Sequence, residues 1–403
     1  MKTAVAFTSE IDDTFRAAKE LCQDIKDNLT FEGNSCGFMY CDIDCDIAQL
    51  SKEASLELGI DIVGTTAMSA MEKSAGYVEM GVMLTVMTGD DVVFAPVTTG
   101  ELTVENYEGQ IKEAFAKATA EMNGNSPKVT FLFAPWAPEL SVENMMDVLD
   151  ELTGKIPIFG GVASDCFEMQ HQKTFINGEV YEKGLVMVLV GGNIRPVFSV
   201  QHSFSTPRAA KGIITKSHDN VIEQVGDISF TDFLKTFGYV PEDGQVHSKY
   251  LGSPFLINFR NKDSDNIPVV RDLSFINLQE GSGVLMGRAP EDSILSIGMI
   301  KKENLVESCE KTLSDLFRKM EDVKEYDFSF IFLCSCAGRN LLMADTKDLE
   351  SNILLKYLDQ KESMRDKINI FSFYAFGEIC PTSEIEGQAV NRLHNCSIVA
   401  CAL

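Results

Sequence analysis

Phe371-Ser-Phe-Tyr-Ala-Phe-Gly-Glu-Ile-Cys-Pro381 begins as an apolar, aromatic run and then changes character. The run reads as a strand bounded by turn formers. Gly377 and Glu378 follow it directly, and Pro381 is expected to stop it. Glycine lets the backbone turn, or come close to another group, where a side chain would prevent it. An acid held there is either a binding group or part of a plain turn, and this stretch alone leaves both open. Upstream, Phe328-Ser-Phe-Ile-Phe-Leu-Cys-Ser-Cys-Ala-Gly-Arg339 has the same form: an apolar strand that runs into small residues and ends on a charge.

The elements around these two stretches recur. The second half reads as helix 303–320, strand 328–334, helix 347–360, strand 368–376 and a closing strand 397–402. The first half has helix 104–122, strand 128–134, helix 141–152, strand 156–159 entering Gly160-Gly161, and a closing strand 184–190. Recurrence at this scale predicts two domains of related build. We place them at 1–215 and 216–403, in an α/β fold of mixed α+β character with layered sheets and a cleft between the domains. Strand-end loops and such clefts are where ligands sit.

The chain opens with the same alternation. Strand 3–8 leads to a helix with Phe15, Ala18, Leu21, Cys22 and Ile25 on one face. Strand 36–41, a helix from Ile47 to Leu58 capped by Asp46 and closed by Gly59, and a strand running into Gly64-Thr-Thr66 follow. Asn177-Gly178 is a hairpin turn signal. Residues 193–220, with Pro207, Arg208 and Lys211, read as the connection between halves, and 239–253 as a loop.

Composition excludes several classes. A net charge of -25 argues against nucleic-acid binding. The first ten residues include Glu10, which does not suit a signal peptide. The longest apolar run, Gly184–Gly192, is far short of the ~20 residues that span a bilayer. Eleven cysteines in such a chain point to a reducing compartment. A cytoplasmic protein with no nucleic-acid or membrane partner is expected. Cys36, Cys41 and Cys45, or Cys334 and Cys336, lack the paired spacing of zinc and iron–sulfur sites. There is no phosphate-binding glycine loop. No metal and no cofactor are therefore expected.

The candidate chemistry lies at the strand exits. Arg339 suits a bidentate grip on a carboxylate. Glu378 can take an ammonium, so the two together suit a zwitterion; alternatively they pair with each other as a structural salt bridge. Ser164 and Asp165 follow Gly160-Gly161, where they bind a ligand or cap a turn. Thr65, Thr66 and Asn395 offer polar groups for a ligand or for the loops themselves. Cys336 invites another reading, a thiol-dependent transferase or hydrolase, though none of the five histidines is a recognisable base for it. The remaining candidate ligand-binding positions are Gly160, Gly161, Tyr374 and Gly377.

Taken together, Ile62-Val-Gly-Thr-Thr66, Gly160-Gly-Val-Ala-Ser-Asp165, Phe332-Leu-Cys-Ser-Cys-Ala-Gly-Arg339, Phe373-Tyr-Ala-Phe-Gly-Glu-Ile379 and Leu393-His-Asn-Cys-Ser397 resemble, in order, the FIST sensory domain in its N-terminal and C-terminal parts. The resemblance covers nearly the whole chain. Cys396 departs from it, standing where the family more often has Gln. The resemblance implies an intracellular sensory unit that binds a small ligand of the amino-acid class and signals through a downstream partner.

Overall fold

Three stretches of the chain build the same sheet in the same strand order. The computed structural model describes residues 1–205, 211–238, 252–260, 267–361 and 367–403. Pro207, Arg208 and most of the expected 239–253 loop lie outside these residues.

The first unit runs β1 (Lys2–Thr8), α1 (Thr14–Asn28), β2 (Asn34–Cys41), α2 (Ile47–Leu58), β3 (Asp61–Thr66), a hairpin of β4 (Ala70–Glu72) and β5 (Gly76–Val78), and β6 (Val82–Gly89). Helix α2 carries the chain across so that β3 lies parallel to β2, and β6 returns antiparallel between β2 and β1. The second unit repeats this with β7 (Val92–Glu101), α3 (Tyr107–Glu121), β8 (Pro127–Ala134), α4 (Val142–Thr153), β9 (Ile158–Val162), the β10 (Thr174–Ile176) and β11 (Glu179–Tyr181) hairpin, and β12 (Gly184–Gly192). Its sheet order is β9-β8-β12-β7.

The third unit starts at β13 (Val197–His202) and is interrupted by a β-rich insertion. The insertion holds β14 (Lys211–His218), β15 (Val221–Val225), β16 (Ile228–Ser229), α5 (Phe230–Lys235), β17 (Phe255–Asn258), β18 (Val269–Arg271), β19 (Leu273–Asn277), β20 (Ser282–Leu285) and β21 (Ile294–Ile297). The unit resumes with α6 (Lys302–Asp322), β22 (Phe330–Cys336), α7 (Ala337–Met343), α8 (Leu349–Gln360), β23 (Asn369–Ala375), the β24 (Glu378–Ile385) and β25 (Gln388–His394) hairpin, and β26 (Ser397–Ala402). Its order, β23-β22-β26-β13, is again the same.

The hairpins tie the units into a ring. The second unit's β10 pairs with β3 of the first, and the third unit's β24 pairs with β9 of the second. The first unit's hairpin docks on β23 of the third, where Ser372 Oγ accepts from Met71 N at 2.7 Å and donates to Met71 O at 2.6 Å. At the centre stand Phe38, Phe131 and Phe332, one from the same register position of each unit, all fully buried. Their ring centroids lie 5.4, 5.6 and 6.5 Å apart. Burial of each contributes roughly 1.5–3 kcal/mol.

Local sequence explains most elements. Asp46 caps α2 by accepting from Gln49 N, and Gly59 ends it in the left-handed region. Ser141 and Gly154 do the same for α4. Gly64 and Gly160 occupy equivalent places, and a Cβ at either would lie 1.9 Å from a carbonyl oxygen of the neighbouring strand, Met39 O or Leu132 O. Asn177 and Gly178 turn the β10–β11 hairpin with φ of 51° and 93°.

The mixed α/β architecture is the one expected, and four local expectations are corrected. Gly160-Gly161 lies inside β9 rather than beyond a strand, because glycine is what lets the neighbouring backbones close in. Glu378 opens β24, and Pro381 lies within that strand. Only Glu378 and Ile379 pair with β9, so the missing N–H of Pro381 breaks no ladder on that side. Phe15 is 63% exposed, its expected place on the buried face being taken by Ala17. The 193–220 connection contains β13 and β14, the first an integral strand of the third sheet. The recurrence seen in two halves thus extends to a third copy at the N-terminus.

Candidate functional site

Strands β3, β9 and β23 end around one end of the ring axis. Ser164 N donates to Thr66 O at 3.1 Å, and Phe376 N to Val162 O at 3.2 Å. The third contact of this set runs through a hydroxyl: Met68 N donates to Ser164 Oγ at 3.3 Å, which donates to Tyr374 O at 2.6 Å. Ser164, Thr66 and Tyr374 therefore meet, as parts of the framework. Thr65 and Thr66 bond the backbone at Lys173. Gly161 packs against Cys334 and Ala375. Gly377 O accepts from Val162 N at 2.8 Å.

The Arg339–Glu378 clamp is corrected by the geometry. Successive residues of β22 face opposite sides of the sheet. Arg339 lies with Ser335 and Tyr374 on one side, and Glu378 lies against Cys334 and Cys336 on the other. Arg339 is fully buried and spends its donors on Glu350 (Nε to Oε1 2.7 Å, with Nη2 on the same oxygen), on Ser203 and Ser308, and on Leu305 O. Asp165 is also fully buried. It accepts from the backbone N–H groups of Met169, Gln170 and His171 at 3.0, 2.9 and 3.1 Å, which shapes the Phe167–Met169 segment.

That segment forms one wall of a cavity of 260 Å³. The other walls are Leu273 and Met286 of the insertion, with Leu341 and Phe376 of the third unit; the polar floor is Asp272, Cys336 and Gly338. A larger hollow of 440 Å³ is lined largely by charged side chains such as Asp147, Asp150, Arg288 and Arg392, and holds no comparable cluster of buried reactive groups. An apolar cavity with a few converging polar groups is the kind of space that holds a small ligand.

The floor is assembled from three places. Cys336 ends β22; Asp272 sits between β18 and β19; Cys396 sits in the β25–β26 turn with φ of 51°. The Cys396 Sγ lies 3.1 Å from Asp272 Oδ2. The neighbouring Arg271 is fully buried and donates to Glu143 Oε1 at 2.8 Å and Leu393 O at 2.7 Å, which anchors the backbone at Asp272. Glu378 Oε2 accepts from Ser397 Oγ at 2.6 Å, whereas its Oε1 makes no hydrogen bond among the described residues. Nor, among those residues, does either amide atom of Asn395, which is 1% exposed.

Charge is distributed unevenly here. Contact with the Cys396 side chain, and N–H groups of Cys396 and Gly338, hold the Cys336 thiol below its ordinary range against the effect of burial. The Cys336 contact and burial push Cys396 well up. Burial, then the Cys336 charge, push Glu378 well up. Burial raises Asp272 to about 6. Of these groups the Cys336 thiol is the one held down, beside a Cys396 thiol and a Glu378 carboxyl that are both pushed up. Sequence reasoning singled out Cys336, Glu378 and Asn395 and noted Cys396 only as a departure. Asp272, Phe167, Met169 and Met286 carried no signal, since nothing local marks which loops the ring brings together.

Among the described residues no helix is long and apolar enough to cross a membrane. No curated protein matches the chain. Among solved structures, a chain from "Structure of PurLQS from Thermotoga maritima" aligns at 10% identity and a TM-score of 0.21, over 100% of this chain and 72% of that one, a likeness too slight to bear on fold or function. Family models match as the FIST N domain over residues 35–227 and as the FIST C domain over 234–381. With both domains in this order over most of its length, the chain belongs to the FIST family of sensory domains.

Proposed function

We propose that the 260 Å³ cavity over Cys336 is the ligand site of a sensory protein, and that its ligand joins an apolar body to a small hydrogen-bond-donating, cationic head. The observation that carries this is the lining. Two methionines, two phenylalanines and two leucines surround polar side chains that comprise the Asp272 carboxyl, the Cys336 thiol and the Ser274 hydroxyl. An ammonium suits the Asp272 carboxyl on the cavity floor. Among the described residues the lining includes no cationic side chain, and Arg339 is committed to Glu350, so a ligand carboxylate has no side-chain counterion among them. Amino acids bound through their ammonium, and their amine relatives, are the class this favours. Binding would reach a signalling partner through the Phe167–Met169 segment and the insertion, which share the cavity wall.

Thermal unfolding against amino acids, their decarboxylated amines and their N-acylated forms tests this. A true ligand at ~100 times its dissociation constant stabilises by about 2.7 kcal/mol. Compounds with a free ammonium should shift the transition, N-acylated ones should not, and Leu341→Trp at the cavity rim should abolish the shift. If no compound moves the transition, or the shift survives Leu341→Trp, the cavity is not the ligand site.

A further inference from the structure

We propose that Asp272, Cys336 and Cys396 form a site for one divalent transition-metal ion of the zinc class, with a fourth position open to the cavity. The ligating atoms of the three residues all lie within 4.8 Å of one another, and all three residues are buried. They come from the end of β22, the β18–β19 junction and the β25–β26 turn, so no spacing in the sequence announces the site. Two sulfurs and one oxygen suit an ion of borderline softness and disfavour magnesium or calcium, which take oxygen shells. Three protein ligands leave a tetrahedral ion one open position, the arrangement of zinc sites that accept an exogenous group.

Independent features point to an occupant. Glu378 is fully buried, its Oε1 makes no hydrogen bond of ordinary geometry among the described residues, and its carboxyl lies against Cys336. The amide of Asn395, next to Cys396, is equally unpartnered. Outer groups of this kind orient metal ligands. Gly338 keeps the approach clear: a Cβ there would stand 3.5 Å from Cys336 Sγ and 4.0 Å from Asp272 Oδ2. Cys336 and Asp272 both reach the cavity floor, so the open position faces the space assigned above to the ligand, and with the ion bound an amine takes that position as the free base, its ammonium proton lost to water; in that part the proposal rests on the ligand reading.

Titration of the chelator-treated full chain with Co²⁺ alone is the test. One equivalent should bind, with a thiolate-to-cobalt charge-transfer band and the intense visible bands of a tetrahedral ion, and Zn²⁺ should displace it. Asp272→Asn and Cys396→Ser should each weaken binding by roughly 100-fold or more, beyond the effect of an outer-shell change. Cys166→Ser, at the exposed cysteine, should leave it unchanged. Circular dichroism of each variant confirms that it is folded. The absence of a stoichiometric cobalt band in the wild type overturns the proposal, and so does unchanged affinity in a folded Asp272→Asn variant. The titration needs no organic ligand, so its failure is distinct from failure of the amine screen, which is run on both zinc-loaded and chelator-treated protein.

Discussion

Replacing Glu350 with alanine strands the Arg339 guanidinium in the core. Glu350 and Arg339 are both fully buried. The carboxylate takes the Nε and Nη2 donors of Arg339 through Oε1, and Ser335 Oγ at 2.8 Å and Tyr374 OH at 3.0 Å through Oε2. Removing one partner of a buried pair leaves an uncompensated charge, which destabilises by about 3–5 kcal/mol. The Ser335 and Tyr374 hydroxyls lose their acceptor as well, at about 1–3 kcal/mol for each buried group that finds no other. Against a total stability on the order of 5–15 kcal/mol, the loss removes much of the margin. The double variant Arg339→Met with Glu350→Leu removes both charges and fills the space with apolar atoms. It should be less damaging than the sum of the single changes, a coupling of about 1–3 kcal/mol. Urea unfolding followed by circular dichroism measures Glu350→Ala and the four corners of the cycle: wild type, Arg339→Met, Glu350→Leu and the double variant. A Glu350→Ala loss below about 1 kcal/mol, or no coupling, would refute the reasoning and return Arg339 to the candidate ligand-binding residues.

Two further outcomes follow from buried ionisable groups. His202 Nε2 lies 3.0 Å from His394 Nδ1, and His394 Nε2 lies 3.0 Å from Cys380 O, a pattern that two neutral rings satisfy and two protonated rings cannot. Burial, then the Arg271 and Arg339 charges, lower His202 to about 3. Its contribution is present above pH 6.5 and is lost as pH falls from there towards 3, because the unfolded ring takes up its proton first. Stability should therefore fall through that window by an amount on the order of a few kcal/mol, less where the ring keeps some exposure, and a folded His202→Gln variant should flatten the slope in a pH series of urea midpoints. Cys336 should alkylate with iodoacetamide near pH 7 faster, in chelator-treated protein, than the other buried cysteines, because its thiol alone among the shifted cysteines is held down. Mass spectrometry of timed samples reads this directly, and equal rates would show that the thiolate does not form.

What the sequence determined by itself is local or periodic. Asp46 and Gly59 mark both ends of α2, Asn177-Gly178 marks a hairpin, and the alternation of apolar strands with amphipathic helices marks an α/β chain that repeats. These are legible because each depends on neighbours a few residues away. The N-terminal copy of the repeat was harder to see, since its closing strand β6 follows a short hairpin, β4–β5, and its own β1–α1–β2–α2–β3 run reads as ordinary α/β alternation. The site was decided by tertiary structure alone. Arg339 and Glu378 follow similar strands, yet Arg339 lies in α7 and joins Ser335 on one side of β22, Glu378 opens β24 on the side of Cys334 and Cys336, and Glu350 on α8 claims the arginine. Asp272, Cys336 and Cys396 meet because the third unit's hairpin reaches across to the second unit and the insertion folds back over the exit of β22. Phe371–Pro381 likewise reads as a strand ending in a turn, whereas Glu378 begins a new strand whose partner, Gly161, lies more than two hundred residues away in sequence. Short-range preferences specify the units, and which loops face one another depends on how three units exchange hairpins around the Phe38–Phe131–Phe332 core.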